Sequence, residues 1–337
     1  MDLDALNLRS YRVKSCLSLM VLGLAFLAPS VRAMDTNRPE ISRFIEEVAS
    51  RHHVDKDWLK RLLSEAQSKT SIIETMQKPA EKVRPWFEYR KIFVTEKRIR
   101  EGRAFYAAHQ DIFDGVAARS GVPASVMIAV LGAETSYGRQ VGTYRALDAL
   151  ATLAFDYPPR AAYFKSELEQ FVLLARDGDL DPLTALSSYA GALGAPQFMP
   201  TNVRKFGLDG DSDGTINLYS DWRDIAESIA NYLSNHGWVK GEPVYSKAML
   251  IDPDVEDLHS GLDLNTTVGA LRKKGVVLES TIADSTPALF AAYRDTDAPT
   301  YRVGFKNFWV ITRYNHSLMY ALAVSELAEA IGATSEP

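Results

Sequence analysis

The sequence predicts a predominantly helical α+β protein with one small β-containing insertion. Three observations lead there. Apolar residues recur at helical spacing over most of the chain. Prolines and glycines fall where such runs begin and end rather than inside them. One segment, from about 241 to 304, breaks the pattern with short apolar runs set between Pro, Gly, Asp and Thr turns.

The elements follow in order. Ile41, Phe44, Ile45 and Val48 recur at i, i+3, i+4 and i+7, which predicts an amphipathic helix. Trp58, Leu62 and Leu63 continue it after a polar break. Residues 90–120 are helical in character. Pro123 as a first-turn residue and Gly138 as a stop bound a helix from about 123 to 136. Residues 145–177 read as two helices broken at Tyr157-Pro158-Pro159. A further helix runs from Asp224 to His236 and ends at Gly237. Val276-Val277-Leu278 and Ala288-Leu289-Phe290 are strand candidates of the insertion, and helix returns from Ser317 to Ile331. The expected organisation is a leader (1–33), an N-terminal helical region (34–110), a core (111–240), the β-containing domain (241–304) and a C-terminal return to the core (305–337).

Composition excludes several classes. The 337 residues are 46% hydrophobic and 24% charged, ordinary for a globular chain and unlike disordered, collagenous or multi-span membrane proteins. A net charge of −5 argues against broad nucleic-acid binding. Arg9, Arg12 and Lys14 precede an apolar run from Cys16 to Ala28, too short to span a bilayer comfortably. With Val31-Arg32-Ala33 after it, the stretch reads as a secretory signal peptide cleaved after Ala33, which predicts a periplasmic protein. Cys16 is the only cysteine and Val13-Lys14-Ser15 before it is no lipoprotein box, so neither a lipid anchor nor a disulfide is expected.

Glu134 is the first candidate for chemistry. On the expected helix it shares a face with Met127, Val130 and Leu131, and it lies near the negative end of the helix dipole. Partial burial and that dipole both raise a carboxyl pKa, as a general acid at neutral pH requires. Asp148, the only acid close downstream, sits among apolar residues and reads as a hydrogen-bonded structural group.

Glu134-Thr135-Ser136-Tyr137-Gly138 begins a passage that resembles the catalytic signature of lysozyme-like lytic transglycosylases. It continues through Ala146-Leu147-Asp148-Ala149-Leu150, Tyr157-Pro158, Tyr189-Ala190-Gly191-Ala192-Leu193-Gly194, Gln197-Phe198-Met199-Pro200 and Ile311-Thr312-Arg313-Tyr314-Asn315-His316-Ser317. In this order, from about residue 38 to 332, the set resembles the membrane-bound lytic murein transglycosylase B family, including its soluble forms. The resemblance implies a lysozyme-like core that cleaves the β-1,4 bond from N-acetylmuramic acid to N-acetylglucosamine in peptidoglycan. It further implies a single catalytic Glu, here Glu134, and 1,6-anhydromuramoyl product ends. It carries substrate-binding roles to Tyr89, Arg160, Gln197, Tyr232, Tyr314, Asn315 and Tyr320. Peptidoglycan strands are the expected ligand and wall-synthesis proteins candidate partners. Pro159 stands where the family often has a second Arg, and Ala195-Pro196 where it often has Tyr-Gly, which bears on fine specificity.

Asp209-Gly210-Asp211-Ser212-Asp213-Gly214-Thr215-Ile216 matches a calcium loop of alternating carboxylates, a turn glycine and a ligating carbonyl at Thr215. Ser220 occupies the position of the usual closing Glu; Asp221 and Asp224 are the candidates to replace it, and the family resemblance favours Asp224. The ion would be structural. The histidines lack zinc spacing, and no phosphate loop or nucleophile elbow is present. A hydrolase acting on the same glycan and a non-catalytic peptidoglycan-binding or scaffolding protein are the competing readings. The retained Glu134, Gln197 and Asn315 count against the latter.

Overall fold

The computed structural model describes residues 32–77, 84–251, 258 and 261–332. The expected leader lies outside the described residues except for Arg32–Ala33 (β1), which pairs antiparallel with Gln67–Ser68 (β2). Met34, the expected first residue after cleavage, is buried, and its N–H donates to the Ala66 carbonyl.

Between these strands run α1 (Pro39–His52) and α2 (Lys56–Ser64), the latter capped by the Asp55 side chain. Ile41, Phe44, Ile45 and Val48 are all buried, as the spacing predicts. α3 (Thr70–Gln77) and α4 (Trp86–Phe93) follow. α5 (Glu96–Ser120) starts at a Thr95 cap and is kinked at His109, whose φ of −127° and ψ of 21° are not helical, so two helical stretches meet there.

α6 (Ala124–Thr135) differs from its expectation in two ways. Its apolar residues do not form one face: Val126 to Leu131 are buried all round, because α5, α10 and α13 enclose it. Gly138 is also not what stops it; Ser136 and Tyr137 already take left-handed φ of 52° and 64°.

β3 (Tyr144–Arg145) leads into α7 (Ala146–Asp156), a 3-10 turn over Pro158–Arg160 and α8 (Ala161–Asp177), with the break at the expected prolines. Asp148 is buried and accepts from Gln67 N–H at 2.8 Å and Arg145 at 2.6 Å, the structural role expected of it. β4 (Leu186–Ser187) pairs with β3. α9 (Pro200–Phe206) and α10 (Trp222–Asn235) complete this part.

The insertion is a five-stranded antiparallel sheet. Its strands are β5 (Tyr245–Leu250), β6 (Thr266–Thr267), β7 (Val276–Leu278), β8 (Pro287–Tyr293) and β9 (Thr300–Gly304), in the order β6-β8-β9-β5-β7. α11 (Val268–Lys273) packs on one face, giving a small core of Ala248, Val268, Leu271, Phe290 and Val303. The chain returns to the main core through α12 (Lys306–Tyr314) and α13 (Leu318–Gly332). Among the described residues no single helix is long and apolar enough to cross a membrane.

Candidate active site

Glu134 lies in the last turn of α6, and the turn after it is tied on two sides. The Thr135 hydroxyl donates to the Ala195 carbonyl at 2.8 Å and accepts from Gly138 N–H at 2.9 Å. The Tyr137 hydroxyl donates to the Arg98 carbonyl at 2.7 Å, fixing the turn to α5. A Cβ at Gly138, whose φ is 78°, would lie 2.7 Å from the Trp222 ring, so only glycine fits there.

Tyr320, in the first turn of α13, donates its hydroxyl to Glu134 Oε1 at 2.6 Å. Burial pushes the Glu134 carboxyl up to about 7, against the opposing pull of that hydrogen bond. The Tyr320 hydroxyl is itself raised far above its ordinary value, first by burial and then by the Glu134 charge, so it remains a donor. Tyr314 stacks on Tyr320 at 6.3 Å and donates to the Pro196 carbonyl at 2.6 Å. Thr135 and Tyr314 thus hold the two peptides that flank Pro196.

Gln197 follows directly. It adopts φ 54°, a strained conformation for a non-glycine residue, and its side-chain amide donates to Val141 and Gly194 carbonyls. Tyr89, on α4, completes the group: burial raises its hydroxyl to about 12, with the Glu134 charge adding to the effect. The structure therefore brings Tyr89, Tyr314 and Tyr320 around Glu134, while the Gln197 amide is held by the Val141 and Gly194 carbonyls.

Three sequence-expected residues stand differently. Tyr232 is buried behind Tyr314, with its hydroxyl committed to the Arg313 carbonyl at 2.7 Å, so it backs the tyrosine wall. Asn315 is exposed at the end of α12, next to Tyr314. Arg160 is exposed over the Tyr163 and Phe164 rings, and no hydrogen bond or ring contact among the described residues joins it to the Glu134 group.

Sequence reasoning missed Thr135, Tyr137 and Glu167. Glu167 is buried on α8, is hydrogen-bonded by Tyr163, and accepts from Thr201 N–H at 2.9 Å in the first turn of α9. It anchors the segment that carries Gln197. The missed signal was an acid at helical spacing among Phe164, Leu168 and Phe171.

In the acidic loop, carboxylate oxygens of Asp209, Asp211 and Asp213 lie within 4.8 Å of one another. Asp213 Oδ1 accepts from both the N–H and the hydroxyl of Thr215. Asp224 stands outside this trio. It is buried at the start of α10, and its two oxygens accept from Gly210 and Asn217 N–H groups, each at 2.7 Å. Its carboxyl is raised by burial, with the charges of Asp221 and Asp211 adding. Three converging hard oxygens beside a turn glycine at φ 96° fit a calcium-sized cation.

A helical, lysozyme-like core around a half-buried carboxyl, with a small sheet inserted before its last helices, defines a class of peptidoglycan-cleaving enzymes. Residues 36–329 match the family model of the transglycosylase SLT domain. The chain is 36% identical over 304 residues to membrane-bound lytic murein transglycosylase B of Escherichia coli K12, covering 88% of this chain and 83% of that protein. It is similar to the crystal structure of soluble lytic transglycosylase SltB1 of Pseudomonas aeruginosa, with TM-score 0.84 and 41% identity over 87% of this chain and 98% of that one. The calcium complex of the Escherichia coli lytic transglycosylase Slt35 is also similar, with TM-score 0.79 and 36% identity over 89% and 95% of the two chains. The chain belongs to the SLT transglycosylase family and is a lytic murein transglycosylase of the B type.

Proposed function

We propose that this enzyme cleaves the β-1,4 bond between N-acetylmuramic acid and N-acetylglucosamine and leaves a 1,6-anhydromuramoyl end, with Glu134 as both acid and base. The observation that carries this reading is a carboxyl held near pKa 7 in contact with one tyrosine hydroxyl. Tyr320 occupies Oε1, which leaves Oε2 to carry the transferable proton. In the first step that proton passes to the glycosidic oxygen, the C1–O bond breaks and N-acetylglucosamine leaves as an alcohol. The substrate's N-acetyl carbonyl supports the oxocarbenium-like centre. Ionised Glu134 then takes the C6 hydroxyl proton as O6 closes on C1, so no water is consumed.

Gln197, Asn315, Tyr89 and Tyr314 supply amide and phenol groups suited to sugar hydroxyls and ring faces. Tyr232 acts through Tyr314, and Arg160 is the cation for a lactyl or peptide carboxylate. Calcium belongs to the loop, with Asp209, Asp211, Asp213 and the Thr215 carbonyl as ligands and Asp224 closing the site. That the similar Slt35 was solved as a calcium complex supports calcium as the ion. The ion shapes the loop that follows the Gln197 segment and takes no chemical part. The leader at 1–33 directs export to the periplasm, 111–240 and 305–337 form the catalytic core, and 34–110 and 241–304 flank it.

Mass analysis of products from purified sacculi tests the reaction. Anhydro ends are expected, lighter by one water than reducing ends; reducing ends alone would make this a hydrolase. Glu134→Gln should fold normally and lose about 10²–10⁴-fold in turnover, the usual contribution of a general acid. Retention of more than roughly a tenth of the activity would remove Glu134 from its role.

A further inference from the structure

Three residues after Glu134 a tyrosine is buried that the reaction does not use. Tyr137 is 4% exposed. Its backbone takes φ 64°, directly after Ser136 at 52°, and such a left-handed pair persists only where tertiary contacts impose it. The room for its ring comes from two glycines inside helices. A Cβ at Gly132 on α6 would lie 2.9 Å from the ring, and one at Gly102 on α5 would lie 2.5 Å from the hydroxyl. Neither glycine has a positive φ, so each supplies space rather than backbone freedom, at some cost to its own helix.

This socket joins the parts that carry the site. The Tyr137 hydroxyl donates to the Arg98 carbonyl at 2.7 Å, and the Arg98 guanidinium donates in turn to the Gly132 carbonyl. Tyr137 N–H reaches back to the Leu131 carbonyl at 3.0 Å. The chain on both sides of Glu134 is thereby tied to one residue of α5. A Cβ at Gly102 would also lie 2.7 Å from Ile331 of α13, the helix whose Tyr320 donates to Glu134 at 2.6 Å. One turn of α5, from Arg98 to Gly102, thus seats both the turn after Glu134 and the helix that carries its hydrogen-bond donor. The charged groups around the Tyr137 hydroxyl are Arg98 and Glu101 on α5 and Arg139 beyond the turn, the last two paired with each other. Burial, foremost, raises that hydroxyl far above its ordinary value, so it stays a donor.

We propose that Tyr137 is a positioning residue: wedged between Gly102 and Gly132 and tied to Arg98, it holds the last turn of α6 where Glu134 meets the Tyr320 hydroxyl. The proposal rests on the reading of Glu134 as the catalytic acid. An acid must lie within hydrogen-bond reach of the oxygen it protonates, and a misplacement of about 1 Å can cost about 10²-fold in rate. A loosened turn also lengthens the bond from Tyr320. That bond favours the ionised carboxylate, so weakening it raises the proton affinity of Glu134.

Two variants test it from opposite sides. Tyr137→Phe keeps the ring and removes the tie to Arg98; Gly132→Ala keeps the tie and crowds the ring. The readout is kcat per folded molecule against pH on purified sacculi. Tyr137→Phe should lower kcat about tenfold, the scale of one lost hydrogen bond, with KM unchanged. Its alkaline limb should move to higher pH, by at most the roughly one unit expected from losing the Tyr320 donor outright. Gly132→Ala should act in the same direction and more strongly, toward about 10²-fold. In a Tyr320→Phe background, Tyr137→Phe should not move the limb further, because the donor is already gone. A tyrosine that only stabilises the fold would lower the thermal midpoint and leave kcat per folded molecule and the limb unchanged. A limb that stays fixed or moves to lower pH overturns the proposal, as does a further movement in the double variant; should one single variant fail to fold, the other decides. NMR titration of the isotope-labelled Glu134 carboxyl gives the same comparison without turnover. A Glu134→Gln protein that stays active refutes the functional reading, whereas an equal Glu134 titration in wild type and Tyr137→Phe refutes the role of Tyr137 alone.

Discussion

Two regions of this molecule gather carboxylates, and they do opposite things with them. At the end of α6 one carboxyl is half-buried, accepts from the Tyr320 hydroxyl alone among the described residues, and is pushed by burial up to about 7. In the loop at 209–215 three carboxylates stand in solvent, and backbone N–H groups of Asp213, Gly214 and Thr215 point at them. Those N–H groups hold Asp209 below its ordinary value, the Gly214 bond foremost, while desolvation and then the charges of Asp213 and Asp221 raise Asp211 against its own backbone donor. Burial with few donors favours the neutral acid, and many donors in water favour the anion. The same functional group thus becomes a proton carrier in one place and a set of hard ligands in the other.

The largest stability effect expected from that contrast belongs to Glu134. Its folded pKa is raised, so the native state holds a proton that the unfolded chain releases above about 4.5. Below that pH the residue costs nothing. As pH rises through about 7 the cost grows and then levels off, at up to about 3 kcal/mol. Glu134→Gln should therefore raise the thermal midpoint at pH 8 and leave it unchanged at pH 4. Calorimetry showing an equal shift at both pH values would mean that ionisation of Glu134 is not what the fold resists.

The loop should respond in the other direction. Calcium is expected to raise the midpoint of the wild type, and Asp213→Ala to abolish the response. Binding to the folded state alone stabilises by roughly 2.7 kcal/mol at a hundredfold excess over Kd. No heat of binding at millimolar calcium would leave the loop a solvated acidic turn, and the contrast with Glu134 would reduce to burial alone.

Much of this was legible in the sequence, for physical reasons that differ by element. α1 and α8 bury one stripe each, so their periodicity reports their burial directly. The break at Tyr157-Pro158-Pro159 follows from proline geometry. α6 was located correctly, but a helix buried on every side has no stripe, so its environment did not show in its spacing. The stop at Ser136 and Tyr137 was hidden because neither residue favours a left-handed backbone; tertiary bonds from Thr135 and Tyr137 impose it. Tyr89, Tyr314 and Tyr320 were found only through the motif resemblance, since nothing local brings residues so far apart in the chain to one carboxyl. The carbonyls of Ala195 and Pro196 carry no sequence signal at all.

The finest probe of the comparison is the one donor that Glu134 keeps. The Tyr320 hydroxyl stabilises the ionised form and so pulls the Glu134 pKa down, against burial. Tyr320→Phe removes that donor and preserves the ring that stacks on Tyr314. The Glu134 pKa should then rise by about one unit, the order expected when a hydrogen bond to a charged group is lost. Because Glu134 must be protonated to act as acid, the alkaline limb of kcat against pH should move upward by the same amount. Tyrosine ionisation does not interfere, since burial and the Glu134 charge keep the Tyr320 hydroxyl protonated far above that range. A role confined to gripping the sugar would instead raise KM and leave the limb where it was. A limb that stays fixed, or moves to lower pH, would show that Tyr320 does not set the proton affinity of Glu134 and that burial alone distinguishes this carboxyl from those of the loop.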